Sequence, residues 1–188
     1  FTLWGNKMKR GNEVWLPLYE GKMCHYYNHR ATKVYFNWEN INRPVQQVET
    51  PQIDLESAEY ISEPAYFIHE SSVVNIIIKR SHIFGFKSVT SPTNERTFIG
   101  TVIPFSGVGN SFPIMLFNDD IRLKEKLQFY TNVSSLILDF IAKQKIGGVN
   151  LNFFYVNQFP VLAPKSLIQK NLFDVIPKSI ELTYTSWD

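Results

Sequence analysis

Apolar and polar positions alternate through much of the first half of the chain, then shift to a helical spacing. In residues 16–23, Leu16 and Leu18 face one side and Pro17 and Tyr19 the other, which predicts a strand ending at Gly21. Val34 and Phe36 repeat the alternation in residues 31–38, so a sheet edge or a broad hairpin is expected around residues 21–30. Residues 1–15 are mixed polar and predict a loop carrying Lys7, Lys9 and Arg10. Residues 37–64 hold Pro44, Pro51 and Pro64 with little periodicity. They predict a loop-like insertion with at most one helical turn near Asp54–Tyr60.

Order resumes after that. Residues 73–80 and 82–90 are rich in β-branched and aromatic side chains and predict strands. A polar cluster, Thr93 to Thr97, leads into an apolar strand, Phe98–Pro104, a glycine-bearing loop, Phe105–Ser111, and a second apolar segment, Phe112–Phe117. A short helix is expected from Asp119 or Asp120 to Tyr130. A longer one follows at about 131–146, where Val133, Leu136, Ile137, Phe140 and Ile141 form one stripe. Thr131 or Asn132 would cap it, Gly147-Gly148 would end it, and Lys143 and Lys145 would suit the dipole of its last turn. Leu151–Val156 predicts a strand, and Lys165–Val175 a C-terminal helix stopped before Pro177. The order implies an α+β (mixed α/β) fold: a twisted, mostly antiparallel sheet packed with helices.

Composition narrows this picture. A chain of 188 residues, 44% hydrophobic, is the size of one domain with its own core, so residues 1–188 are taken as a single domain. The net charge is only +2, so any nucleic-acid surface must come from local clusters. Cys24 stands alone, which rules out an internal disulfide and gives no sign of secretion. No run of about 18 apolar residues exists, so no membrane contact is expected. The chain opens on Phe1 and closes on Trp187-Asp188, so we expect an excised piece of a larger cytoplasmic protein.

Catalytic patterns are thin. Glu20-Gly21-Lys22 has the spacing of a metal-dependent nuclease strand, but no suitable acidic residue precedes it to share a metal. His25 and His29 have a zinc-like spacing on a stretch that does not read as a helix. Gly107 and Gly109 precede a strand rather than a helix, so they read as turn residues and not as a phosphate cradle. Neither catalytic nor metal-binding residues are assigned.

Two clusters suit nucleic acid better. Residues 25–30 supply Asn28, His29 and Arg30, with Lys22 and Lys33 beside them. Residues 93–97 supply Thr93, Asn94 and Arg96, preceded by Lys87. Arg and Asn make bidentate bonds to guanine and adenine edges, whereas Lys and Tyr suit phosphates.

These blocks resemble the C-terminal specificity region of single-chain type IIG restriction–modification adenine methyltransferases and their phage-defence relatives. That is the bacterial family with the TaqI-like specificity domain. The resemblance rests on LPLYEGKM followed by HYYNHR, on TNERT with TVIP, on VGNSFPIM, on DFIAKQKIGGVNLNFFYVNQFPVL and on ELTYTSWD, in that order. Residues 37–64 are unmatched. Phe86-Lys87-Ser88 stands where the family often has Phe-Arg-Asp, and Asn28 where Asp often precedes His-Arg, so a target sequence does not carry over.

The resemblance implies a reader of double-stranded DNA that positions an adenine for an N-terminal methyltransferase domain of the same polypeptide. The chain itself would need no cofactor, and S-adenosylmethionine would bind the absent half. The adenine must leave the stack to be methylated. On this view Asn28, His29 and Arg30 contact bases or phosphates, and Lys22 and Lys33 meet phosphates. Lys87, Thr93, Asn94 and Arg96 form a second surface, while Asn110, Ser111, Asn150 and Asn152 approach the backbone. For Arg96 a scaffold role is equally open. Two other classes stay open: a protein–protein docking module, and a metal-dependent nuclease built on Glu20 and Lys22.

Overall fold

The computed structural model describes residues 2–73, 80–163 and 175–188. The fold is α+β, with several short, mostly antiparallel sheets, helices in the second half and a C-terminal helix.

The first sheet begins earlier than the sequence suggests. Strands β1 (Thr2–Trp4), β2 (Lys7–Arg10) and β3 (Glu13–Tyr19) form an antiparallel meander, where a loop was expected over residues 1–15. Gly5 (φ +56°) and Gly11 (φ +59°) supply the left-handed residues of its two tight turns. Too few apolar residues lie in β1 and β2 for the alternation to show.

The insertion also carries order. Strand β4 (Thr32–Phe36) pairs with β5 (Val45–Glu49) in register from Thr32↔Glu49 to Phe36↔Val45. A single helical turn, α1 (Gln52–Leu55), follows, slightly before its expected place. The polar face of β5 hid the strand, since Gln46, Gln47 and Glu49 do not alternate with a buried set. Strand β6 (Phe67–His69) then returns to pair with β3.

The centre of the protein is the antiparallel pair β7 (His82–Phe86) and β8 (Gly100–Pro104). Strand β9 (Gly107–Val108) runs parallel to β3, and β10 (Ile114–Met115) adds to β7. Side chains of a strand alternate between two faces, and here both faces are covered. Ile83 and Ile103 enter a core with Leu16, Tyr19, Met23, Val34 and Phe112. Phe84 and Phe86 enter a second core with Phe98, Leu127, Tyr130, Leu138 and Leu151. This is why the HIFGF run is almost continuously apolar. Each fully buried large side chain contributes about 1.5–3 kcal/mol, and the Phe84 and Tyr130 rings stack at 4.3 Å. A Cβ on Gly85 would collide with the Phe112 ring, so only glycine lets that ring lie flat on β7.

Helices α2 (Leu123–Val133) and α3 (Leu136–Lys145) are separated at Ser134-Ser135. Ser135, not Thr131 or Asn132, caps α3, its Oγ accepting from Leu138 N at 3.2 Å. Residues 151–156 are not a strand. Asn152 accepts from Tyr155 N and caps a helical turn, α4 (Phe153–Val156). The last described helix, α5 (Val175–Thr183), contains Pro177 and lies almost wholly beyond the stretch expected to be helical. The expected strand over 73–80 and helix over 165–175 fall mostly outside the described residues.

Candidate nucleic-acid interface

Main-chain hydrogen bonds bring distant polar segments onto one face. Ser88 N donates to Ser111 O at 3.1 Å, and Leu151 N donates to Ser88 O at 2.7 Å. Thr90 N donates to Val149 O at 3.0 Å, and Val89 and Asn150 form an isolated bridge. Gly21 N donates to Ser111 Oγ at 3.0 Å, which fixes the turn carrying Lys22. Gly21 is required there, because a Cβ would strike the Ser111 carbonyl. Lys22, Lys87, Asn110, Ser111 and Asn150 are therefore neighbours despite their separation in sequence.

The loop of residues 24–30 joins this face at its outer edge. His25 and Asn28 exchange main-chain bonds of 2.7 and 3.0 Å, with Tyr27 at φ +58° between them. A bulky residue in that region is strained and persists only where its surroundings fix it. His25 is open to solvent on one side, and its partly buried ring lies close enough to Lys87, Glu95 and Glu49 to feel their charges. Burial is the largest influence on it and lowers its pKa below 6.5, and Lys87 pushes the same way.

Arg96 ties the loop to the TNERT cluster. Its guanidinium sits 4.6 Å from the centre of the Tyr26 ring and 3.9 Å from Asp139 Oδ2. Asp139 is itself buried, and its Oδ1 accepts from Thr97 N and Phe98 N, each at 2.8 Å. Lys143 Nζ donates to Glu95 O at 2.8 Å. Helix α3 thus clamps the start of the Phe98 segment, which leaves Thr93 and Asn94 exposed at its tip. Thr93 is braced by Ser91, their hydroxyls 2.7 Å apart.

Two expected base readers are elsewhere. Arg30 is 1% exposed. Its Nη1 donates to Ser57 O (2.8 Å) and Tyr60 O (3.0 Å), and its Nη2 to Leu55 O (3.0 Å) and Thr185 O (2.8 Å). It gathers main-chain carbonyls inside the protein and does not reach a base edge. His29 is also buried, its Nε2 3.2 Å from Asp188 Oδ1. Asp188 is held below its usual range. Burial would raise it, but hydrogen bonds from His29 and Ser186 and the charges of His29 and Arg30 outweigh that. A polar run bordered by strands turns inward where buried acceptors need donors, main-chain carbonyls for Arg30 and the Asp188 carboxylate for His29.

Other candidates are engaged in part. Asn28 Oδ1 accepts from Arg30 N at 2.8 Å, a local turn contact. Lys33 pairs with Asp54 (3.0 Å) and Glu63 (3.3 Å), beside the Tyr60 ring. Lys22 pairs with Glu20 at 3.2 Å. Asn152 is occupied as a helix cap. Lys87, Thr93, Asn94, Asn110 and Asn150 remain as the candidate polar face, each at least partly exposed, as are Lys22 and Ser111. Lys87 is half-buried; burial lowers its pKa and the nearby Cys24 raises it.

The sequence reading assigned none of His25, Tyr26, Asp139 and Lys143 to the site: His25 was weighed for a zinc-like spacing and Lys143 as a helix-end charge. His25 and Tyr26 could have been found in the same polar run as Asn28. The inward turn of Asp139 could not, because it sits on the helix face the apolar stripe assigned to solvent. For the nuclease reading, no group of three His, Cys, Asp or Glu among the described residues could hold a metal ion. Among the same residues no helix is long and apolar enough to cross a membrane.

No family model matches the chain, and neither does any curated protein or solved structure.

Proposed function

We propose that this chain is a reader of double-stranded DNA, the target-recognition part of a bacterial adenine methyltransferase. Its methyl donor, S-adenosylmethionine, would be held by a separate catalytic domain of the same polypeptide. The observation that carries the reading is that main-chain bonds draw residues 87–90, 111 and 149–151 together, while Asp139 and Lys143 fix the adjoining 95–98 segment. Asparagine amides can read adenine edges, and a lysine ammonium suits phosphates or guanine. Rigid support is what such a set requires.

The test is fluorescence anisotropy of the purified chain with a randomised duplex pool followed by sequencing of the bound fraction, without magnesium. We expect binding that weakens with salt, together with enrichment of one short motif. Chain concentrations up to about 100 µM cover non-specific affinities of about 10⁻⁴–10⁻⁶ M. Absence of any binding in that range overturns the reading.

One observation favours a docking role for a different surface. Leu136, Ile137, Phe140 and Phe154 are 64–75% exposed on α3 and α4, which pack together. Such patches are typical of protein contacts, and this one would serve a partner domain without displacing DNA from the polar face.

A further inference from the structure

Three cations outside the polar face have a carboxylate partner among the described residues. Lys33, Arg80 and Arg122 each pair with an Asp or Glu. The β1–β2 ribbon differs. Thr2 opposes Lys9 and Trp4 opposes Lys7, so Thr2, Trp4, Lys7 and Lys9 share one face of the ribbon. Val14 of β3 opposes Lys9 on that same face, whereas Glu13 opposes Arg10 on the other. The face therefore carries two ammonium groups and no acid of its own strands. Among the described residues, neither Lys7 nor Lys9 forms an ion pair.

Aromatic rings position both lysines. Lys9 Nζ lies 3.3 Å from the centre of the Trp4 ring. Lys7 Nζ lies 5.9 Å from the same ring and 5.3 Å from Phe105. A cation–π contact fixes a lysine without neutralising it. It also reduces the side-chain entropy lost when the ammonium meets an anion. Trp4 itself is 57% exposed, leaving part of the indole beside the charges in solvent. Residues two apart on a strand are separated by about 6.6 Å, and one DNA strand carries a phosphate for every 3.4 Å or so of axis.

We infer that the β1–β2 ribbon is a second nucleic-acid contact, a phosphate clamp in which Lys7 and Lys9 bind the backbone of duplex DNA. This rests on the DNA-reading proposal but uses a surface separate from the Lys87 face. A clamp of this kind adds affinity and register and carries no sequence information.

The experiment measures the salt dependence of duplex affinity for the whole chain and for the double variant Lys7→Gln, Lys9→Gln. Lys7→Arg, Lys9→Arg serves as the charge-preserving control, and Lys87→Gln, Asn94→Ala as the variant of the other face. Each phosphate contact contributes about 0.9 to the slope of log K against log salt. The Gln pair is expected to flatten the slope by about 2 while preserving the preferred motif, with the Arg pair close to the parent. An unchanged slope in the Gln pair overturns the clamp even if the chain binds DNA well. A flattened slope alongside an unaltered Lys87→Gln, Asn94→Ala variant upholds the clamp and removes the polar face from the reading. Lack of duplex binding by the parent chain overturns both.

Discussion

Arg30 shows how one side chain can be mistaken for a ligand contact when it serves the interior. Four carbonyls from two separate segments, residues 55–60 and Thr185, converge on its guanidinium. Hydrogen bonds to a charged group contribute about 1.5–3 kcal/mol each, and buried acceptors left without donors cost more. Arg30→Ala should lower stability by about 3 kcal/mol or more, read as a fall in the urea midpoint. Its effect on duplex affinity should vanish once the folded fraction is allowed for. A well-folded variant with selectively weakened binding would restore Arg30 to the reading surface. At other positions the sequence already held the answer: Gly21 belongs to the turn after a strand, and Thr93 and Asn94 stay in solvent, because a short polar run has nothing to bury.

Helix α3 gives the lesson at the scale of an element. The existence and end of the helix were legible, since five apolar residues at helical spacing stop at a glycine pair. The buried face was not. Leu138, Ala142 and Ile146 point into the core, while Leu136, Ile137 and Phe140 point out. The stripe that is buried, at i, i+4 and i+8, is lighter in bulk and lies beside the acidic Asp139. Burial of Asp139 becomes favourable only once two main-chain N–H groups from the TNERT segment are there to meet it. Leu138→Ala should therefore cost about 2–5 kcal/mol. Ile137→Asp should stay within about 0.5 kcal/mol, as surface changes do. Chemical denaturation of the two variants checks the orientation, and a reversed order would mean the helix is turned the other way. Strand β5 is the complementary case: a strand with a mostly exposed, polar set of side chains gives no period to detect.

For the whole molecule, the titrating groups set a pH window for stability. His25 and His82 are both held below 6.5, burial being the largest cause in each. Lys87 adds to it at His25, against a partial upward pull from Glu95 and Glu49, and Lys126 and Arg80 add to it at His82. The unfolded chain takes up these protons near 6.5, before the folded protein does. Their stabilising contribution is therefore complete above that pH and is lost as pH falls from 6.5 through the lowered folded values. Asp188 adds a second loss below its usual 3.8, where its lowered pKa stops favouring the folded state. The denaturant midpoint should fall between about pH 7.5 and 5.5. The double variant His25→Gln, His82→Gln should flatten that fall. A midpoint independent of pH in this range would contradict the assignment.

What the residues alone determined is local: a strand within each of 16–23, 31–38, 82–90 and 98–104, the helix stopped by Gly147-Gly148, and the α+β class. Each depends on a short-range period or a turn residue, which neighbouring positions suffice to reveal. The tertiary structure decided which faces are buried, and with them which polar groups stay free for a partner. Arg30 and Asp139 went inward because main-chain groups from remote segments supplied their hydrogen-bond partners. Lys87, Asn110 and Asn150 became neighbours only through bonds across long sequence separations, which no local pattern encodes.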